Sequence, residues 1–312
     1  MLEHTGKAGI TAINSLKTTP VYLTESLTAA AFSIFTQLEP EEILTELRAE
    51  NPIVCSAAIS ALKTRLSHSA FIDALIPLLD HREKTIRVNA VEAMGMLKDN
   101  RKTDFLLNML DDPSIMVIKA AVYSLRYNPI EAVQKSLLSL LDHDNVTVRI
   151  SVIEALGSIK IDGTIPQLAP FLENQAESLR KAAESSLYRL EWKPASDREN
   201  AAVDMIKGGL DRLLEKFNKY SYQEIEPLLK KALNWDYEWR DQARLAVLMA
   251  HNSVSFDDPC FEKIRKTLYY WATKADEEEL VLGDQDYFTR EISFAHERKS
   301  AQEFLTQMSA EK

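Results

Sequence analysis

The chain has 312 residues, a formal net charge of −10, 46% hydrophobic and 27% charged residues, a composition that folds and meets water without needing several globular domains. The negative charge is shared, with 20 basic and 24 acidic residues in 1–195 against 17 and 23 in 196–312; this argues against nucleic acid, which requires a strong positive excess. Cys55 and Cys260 make no metal or redox motif, which fits a reduced, cytoplasmic setting, and neither Met1–Lys17 nor the apolar run Ala29–Phe35 is long enough for a signal peptide or a membrane span.

In chain order, a small residue recurs at Ala29, Ala61, Ala93, Ser124, Ala155 and Ser186, in steps of 32, 32, 31, 31 and 31. Such a period on helical patterning predicts a solenoid whose units bury their apolar faces against neighbours. Other positions keep the step of 31: Leu79, Leu110, Leu141 and Leu172; the acidic set Asp80, Asp111, Asp142 and Glu173; then His81, Asp112, His143 and Asn174; then Arg87, Ile118, Arg149 and Arg180. Within each unit the apolar spacings of three, four and seven define one helix face. Each unit therefore reads as a helix A (Ala70 to Leu79 in one case), a polar turn, and a helix B (roughly Lys84 to Lys98). Acidic, Asn and His residues before helix B supply acceptors for its first N–H groups, and Asp112-Pro113 marks a start. The small ladder predicts close crossings between B helices. The arginine at a fixed place in B is expected to bridge a neighbouring unit's Asp80-type acid.

The step is lost near Glu191 to Asn200, where Trp192-Lys-Pro-Ala-Ser interrupts it. Residues 1–195 therefore read as about six repeat units and 196–312 as a diverged helical cap. Ala201 to Tyr220 reads as one long amphipathic helix, Tyr222 to Ala250 as a diverged repeat, Cys260 to Lys274 as a helix, 276–286 as an acidic loop and Ala295 to Met308 as a last helix. The tryptophans at Trp235 and Trp239 read as core.

Leu140 to Ile159, with its Leu-Leu-Asp, Val-Arg and Ala-Leu-Gly elements, resembles HEAT repeats of the phycobilisome-lyase-like type, best between about Phe71 and Trp192. The resemblance implies an all-α, armadillo-like solenoid. Three enzyme classes with this architecture bear comparison. Deoxyhypusine hydroxylase holds two irons on paired His-Glu steps; here His296-Glu297 is one such step among six histidines, so that reading is set aside. His81 and His143 lie two units, roughly 20 Å, apart at about 10 Å per helix layer, so they cannot share a metal and read as turn caps. HEAT-like alkylpurine DNA glycosylases offer an analogue in Trp235, Asp236, Trp239 and Arg240, against an acidic charge balance. Phycobilin lyases, which attach or handle a linear tetrapyrrole, carry this repeat type and stand as the alternative. No phosphate loop, nucleophile elbow or Cys-His arrangement is present.

These readings favour a non-catalytic interaction scaffold or regulatory adaptor, not an enzyme, with no cofactor or metal implied and another protein as partner. In HEAT solenoids the B helices line the concave side, and the positions offset from the small ladder give a candidate binding strip: Tyr123, Arg126, Tyr127, Tyr188, Arg189 and Trp192. Tyr, Arg and Trp dominate interface energetics because they are large, amphipathic and pair with many groups.

Overall fold

A computed structural model describes residues 2–15, 21–47, 50–235, 239–252, 263, 264, 266, 267 and 306. The described residues are helical with no strand, and the protein is an all-α, HEAT-like solenoid. The acidic loop at 276–286 and most of the two last expected helices lie outside the described residues. The chain packs as two units, Met1–Thr164 and Ile165–Lys312.

In the first unit the helices alternate between A and B: α1 (Leu2–Asn14), α2 (Val21–Phe35), α3 (Pro40–Glu46), α4 (Pro52–Leu62), α5 (His68–Leu75), α6 (Lys84–Gly95), α7 (Lys102–Asn108), α8 (Ile115–Leu125), α9 (Glu131–Ser139) and α10 (Val146–Ile159). Each A helix lies against its own B helix, and the B helices α2, α4, α6, α8 and α10 stack in order. Ala61, Ala93, Ser124 and Ala155 are buried in that stack. The crossing of α6 and α8 is tight: a Cβ built on Gly95 would lie 2.3 Å from Ser124 Oγ and 3.2 Å from its Cα. Ser124 Oγ donates to Val91 O across the same contact (3.3 Å). The first rung departs, since Ala29 is exposed on α2 and Ala31 is the buried small residue there.

The turn between A and B is built from a recurring set of bonds. The A helices tighten at their ends into 3₁₀ turns (Ile76–Leu78, Met109–Asp111 and Leu140–Asp142) rather than continuing as α-helix. His81, Asp112 and His143 then donate their backbone N–H to Leu78, Met109 and Leu140. Their side chains accept from the N–H two residues on: His81 Nδ1 from Glu83 (3.0 Å), Asp112 Oδ1 from Ser114 (2.8 Å), His143 Nδ1 from Asn145 (2.9 Å). This is turn capping, and an imidazole serves as well as a carboxylate because only one acceptor is needed. Pro113 lies before the N-cap Ser114 rather than in the first helical turn.

The repeated arginines first hold the turn. Arg87 Nη1 donates to His81 O (2.8 Å) and Arg149 Nη1 to His143 O (2.6 Å), so each closes the turn of its own unit. The bridge to a neighbouring unit exists at Arg87, but its acceptor is Asp112, one residue past the expected Asp80-type position. Nε meets Oδ2 at 2.7 Å and Nη2 meets Oδ1 at 2.9 Å, on side chains only 12% and 5% exposed. Asp111, at the expected position, is exposed. Lys102, buried, donates to Gly95 O (2.9 Å) and Leu97 O (2.6 Å), closing the C-terminal carbonyls of α6 with a cation.

In the second unit, α11 (Thr164–Leu168) with the 3₁₀ turn Ala169–Glu173 precedes α12 (Glu177–Arg189), and α13 (Asp197–Lys216), α14 (Tyr222–Ala232) and α15 (Trp239–His251) follow. The turn repeats its chemistry: Asn174 Oδ1 accepts from Ala176 N (3.0 Å), and Arg180 Nη1 donates to Asn174 O (2.8 Å). The helix read as continuous over 201–220 is broken. Gly208 and Gly209 leave helical geometry, and Gly209 sits at φ +64°, ψ −159°, a region only glycine adopts at low cost. Asp204 ties the two sides of the break by accepting from Arg212 Nε (2.7 Å), Lys216 Nζ (2.8 Å) and the Tyr220 hydroxyl. Burial pushes its carboxyl up, but these three donors outweigh that and hold it below the ordinary aspartate value. Trp235 is buried, with the Arg180 guanidinium 3.8 Å from its ring centroid.

Two outcomes follow from this packing. Gly95→Ala should lower stability by about 1–3 kcal/mol, because α6 and α8 must separate to admit the methyl group; a variant melting at the wild-type temperature would mean the crossing is looser than described. Asp112→Asn keeps the turn cap, as Asn174 does in its own unit, and removes only the ion pair, so it should cost about 1.5–3 kcal/mol at neutral pH. Burial pushes the Asp112 carboxyl up, yet bonds from Arg87 and the Ser114 N–H bring it below its usual value. Its stabilising contribution is therefore complete above the unfolded value of about 3.9 and is lost as pH falls through the lower folded-state value. Denaturant titrations of wild type and variant should converge in acid and differ at pH 7; a constant difference would show that the charge is not responsible.

Candidate functional site

The face of α8 that does not pack is short and unusual. Val117, Ile118, Ala120, Ala121, Val122, Ser124 and Leu125 are buried, which leaves Ile115, Met116, Lys119, Tyr123 and, just past the helix end, Tyr127 outside, with Met116, Tyr123 and Tyr127 at 52%, 57% and 66% exposure. Tyr123, Arg126 and Tyr127 stand at i, i+3 and i+4, a spacing that puts all three on one side. The structure brings them together. The Arg126 guanidinium carbon lies 3.6 Å from the Tyr123 ring centroid and 4.6 Å from that of Tyr127, and its Nη2 donates to the Tyr127 hydroxyl. Arg126 Nε is buried without an acceptor, and among the described residues no carboxylate forms an ion pair with it. One repeat to either side the equivalent positions are Gly95 and Gly157. The result is a cation fixed between two aromatic faces with its charge unanswered.

Tyr188, Arg189 and Trp192, in the second unit, do not form a matching cluster. Tyr188 is 75% exposed, with Lys207 Nζ 6.0 Å from its ring centroid. Arg189 Nη2 donates to Ser186 Oγ (2.8 Å), the small-ladder residue of its own helix. Trp192 is half-buried, and its backbone N–H closes the end of α12 on Leu187 O (3.0 Å). Arg87, Arg149 and Arg180 belong to the turns, as described above.

A cleft of about 600 Å³ in the first unit was not foreseen. Asn14, Thr24, Glu50, Asn51, Arg82 and Thr85 are among the residues lining it. Its charged groups already answer one another, Arg82 pairing with Glu50, while the Glu83 side chain accepts from Thr85. No periodicity could have announced it, because it arises where helix N-termini and turns from three repeats meet.

Among the described residues, no group of His, Cys, Asp and Glu could hold a metal ion, and no helix is long and apolar enough to cross a membrane. Cys55 is fully buried and burial pushes its thiol up to about 12, so it stays protonated and is a poor nucleophile.

Residues 40–126 and 103–188 match the family model for HEAT repeats. Phycocyanobilin lyase subunit alpha of Nostoc sp. (strain PCC 7120) is 32% identical over 178 residues, 51% of this chain and 64% of that protein. The bilin biosynthesis protein PecE of the same organism is 26% identical over 160 residues, 49% of this chain and 63% of that protein. The chain thus matches a little under two thirds of each relative's length. The complex of CpcE and CpcF of phycocyanin lyase from Nostoc sp. PCC 7120 aligns with 74% of this chain and 94% of its own at 22% identity and a TM-score of 0.43. The two curated relatives overturn the reading of the chain as a non-catalytic scaffold, and with it the reading as no enzyme. That reading went astray because the repeat positions encode packing, which scaffolds and lyase subunits share, and say nothing of the surface. Residues 40–188 of the chain thus carry HEAT repeats, and about half of the chain is similar in sequence to phycocyanobilin lyase subunit alpha.

Proposed function

We propose that this protein is a phycobilin-lyase-like subunit: it holds a linear tetrapyrrole and assists its attachment to a cysteine of an acceptor protein. The observation that carries the reading is the 32% identity to phycocyanobilin lyase subunit alpha over half of the chain. Joining a bilin to a thiol is an addition: a C–S bond forms, a carbon–carbon double bond is consumed, and the thiol proton passes to carbon. Nothing else is needed to balance the reaction. The protein's share is therefore to hold a flexible conjugated pigment in one conformation beside the thiol, where orientation alone accelerates a reaction greatly.

The pigment is carried without a covalent bond to Cys55, whose buried, protonated thiol cannot compete with an exposed acceptor. Tyr123, Arg126 and Tyr127 are the residues of the first unit proposed to contact ligand, and Tyr188, Arg189 and Trp192 those of the second. A protein partner belongs to this reading, since the relative is named as a subunit. Residues 196–312 serve as a diverged helical cap, and the setting is cytoplasmic, where thiols stay reduced.

Mixing the purified chain with phycocyanobilin should produce a shifted visible absorption band. Adding an apo-acceptor and a partner lyase subunit should accelerate formation of a thioether adduct, read by mass spectrometry. A chain that neither shifts the absorption nor speeds adduct formation does not have this function.

A further inference from the structure

Arg126 differs from the other arginines of the B helices in what its guanidinium meets. Arg87, Arg149 and Arg180 donate to two turn carbonyls each, and Arg87 also grips Asp112. Arg126 has two tyrosine rings and one phenol oxygen. Stacking fixes its plane but leaves its charge without a counter-ion, and Nε lacks an acceptor altogether. An anion reaching this guanidinium therefore meets a cation already held in place.

The surroundings narrow the ligand further. Tyr123 and Tyr127, both more than half exposed, present aromatic surface around the cation, and Met116, exposed two turns before Tyr123 on the same helix, adds an apolar one. Glu92 and Glu154, exposed at the Tyr123 position of the adjacent repeats, disfavour a polyanion such as nucleic acid and tolerate a ligand with a single carboxylate near the arginine. A planar apolar body carrying a carboxylate fits this arrangement. An open-chain tetrapyrrole is such a molecule, with conjugated rings and propionate side chains.

We infer that Arg126, clamped between Tyr123 and Tyr127, binds one propionate carboxylate of the tetrapyrrole while the tyrosines and Met116 take its ring face. This rests on the bilin reading given above and deepens it. The guanidinium offers a fork that matches a carboxylate, whereas an esterified propionate has no charge to answer it.

The full-length chain is titrated with phycocyanobilin and with its dimethyl ester, following the visible band, for wild type, Arg126→Met and Arg126→Lys, each checked for an unchanged helical spectrum. Wild type should bind the free acid at least about tenfold more tightly than the ester, the range expected for a charged hydrogen bond. Arg126→Met should lose that preference by weakening free-acid binding alone, and Arg126→Lys should keep part of it by retaining charge without the fork. Wild type binding both forms alike, or Arg126→Met discriminating as wild type does, overturns the clamp while the bilin reading stands. Binding of neither form by wild type overturns the bilin reading, and the clamp falls with it.

Discussion

Two helices can bring their backbones together only where the side chains between them are small, and the B-helix stack of this protein depends on that constraint. At the crossing of α6 and α8 there is no room for even a methyl group on Gly95. Because side chains within a core are packed at crystal-like density, the separation of one pair of helices is passed to the next. The small ladder therefore sets the spacing at which A helices can lie on B helices. It also decides which residues on a B helix face outward: with Ser124 against α6, Tyr123 has to stand on the exposed side.

Much of this was legible in the sequence because burial repeats with the period of the structure. Ala61, Ala93, Ser124 and Ala155 announce the crossings, and His81, Asp112, His143 and Asn174 announce the turn, since both are local consequences of helix geometry. The arginine's main partners were not legible. Backbone carbonyls leave no mark in a sequence, and choosing between Asp111 and Asp112 needs the direction of a carboxylate, not its presence. The break at Gly208-Gly209 was read through as helix because the apolar spacing persists on both sides; the pair of glycines was the available signal. Ala29 shows the same limit from the other side, since the small residue that α2 buries is Ala31, two positions past the expected rung.

The candidate site was half legible. Tyr123, Arg126 and Tyr127 could be grouped from their spacing alone, and they do meet. Their chemistry could not, because a cation's availability depends on which acids lie within reach of it in three dimensions. Tyr188, Arg189 and Trp192 also combine aromatic rings with an arginine, but Arg189 stands at i+1 rather than i+3 and turns back to Ser186. Function was less legible still: the features that dominate the sequence are those that hold repeats together, and a pigment-handling subunit and a scaffold need those equally.

The turn between A and B closes within its own unit. The bond to the N–H two residues on, the 3₁₀ closure and the arginine on the turn carbonyl all join residues less than ten apart. A unit can therefore be copied or deleted whole without leaving a turn half made. The bond from Arg87 to Asp112 is different, because it joins one repeat to the next and works only with a carboxylate at that place in the following unit. It fixes the order of these two repeats, and so makes neighbours of the otherwise exchangeable unit that carries Arg87 and the one that carries Arg126.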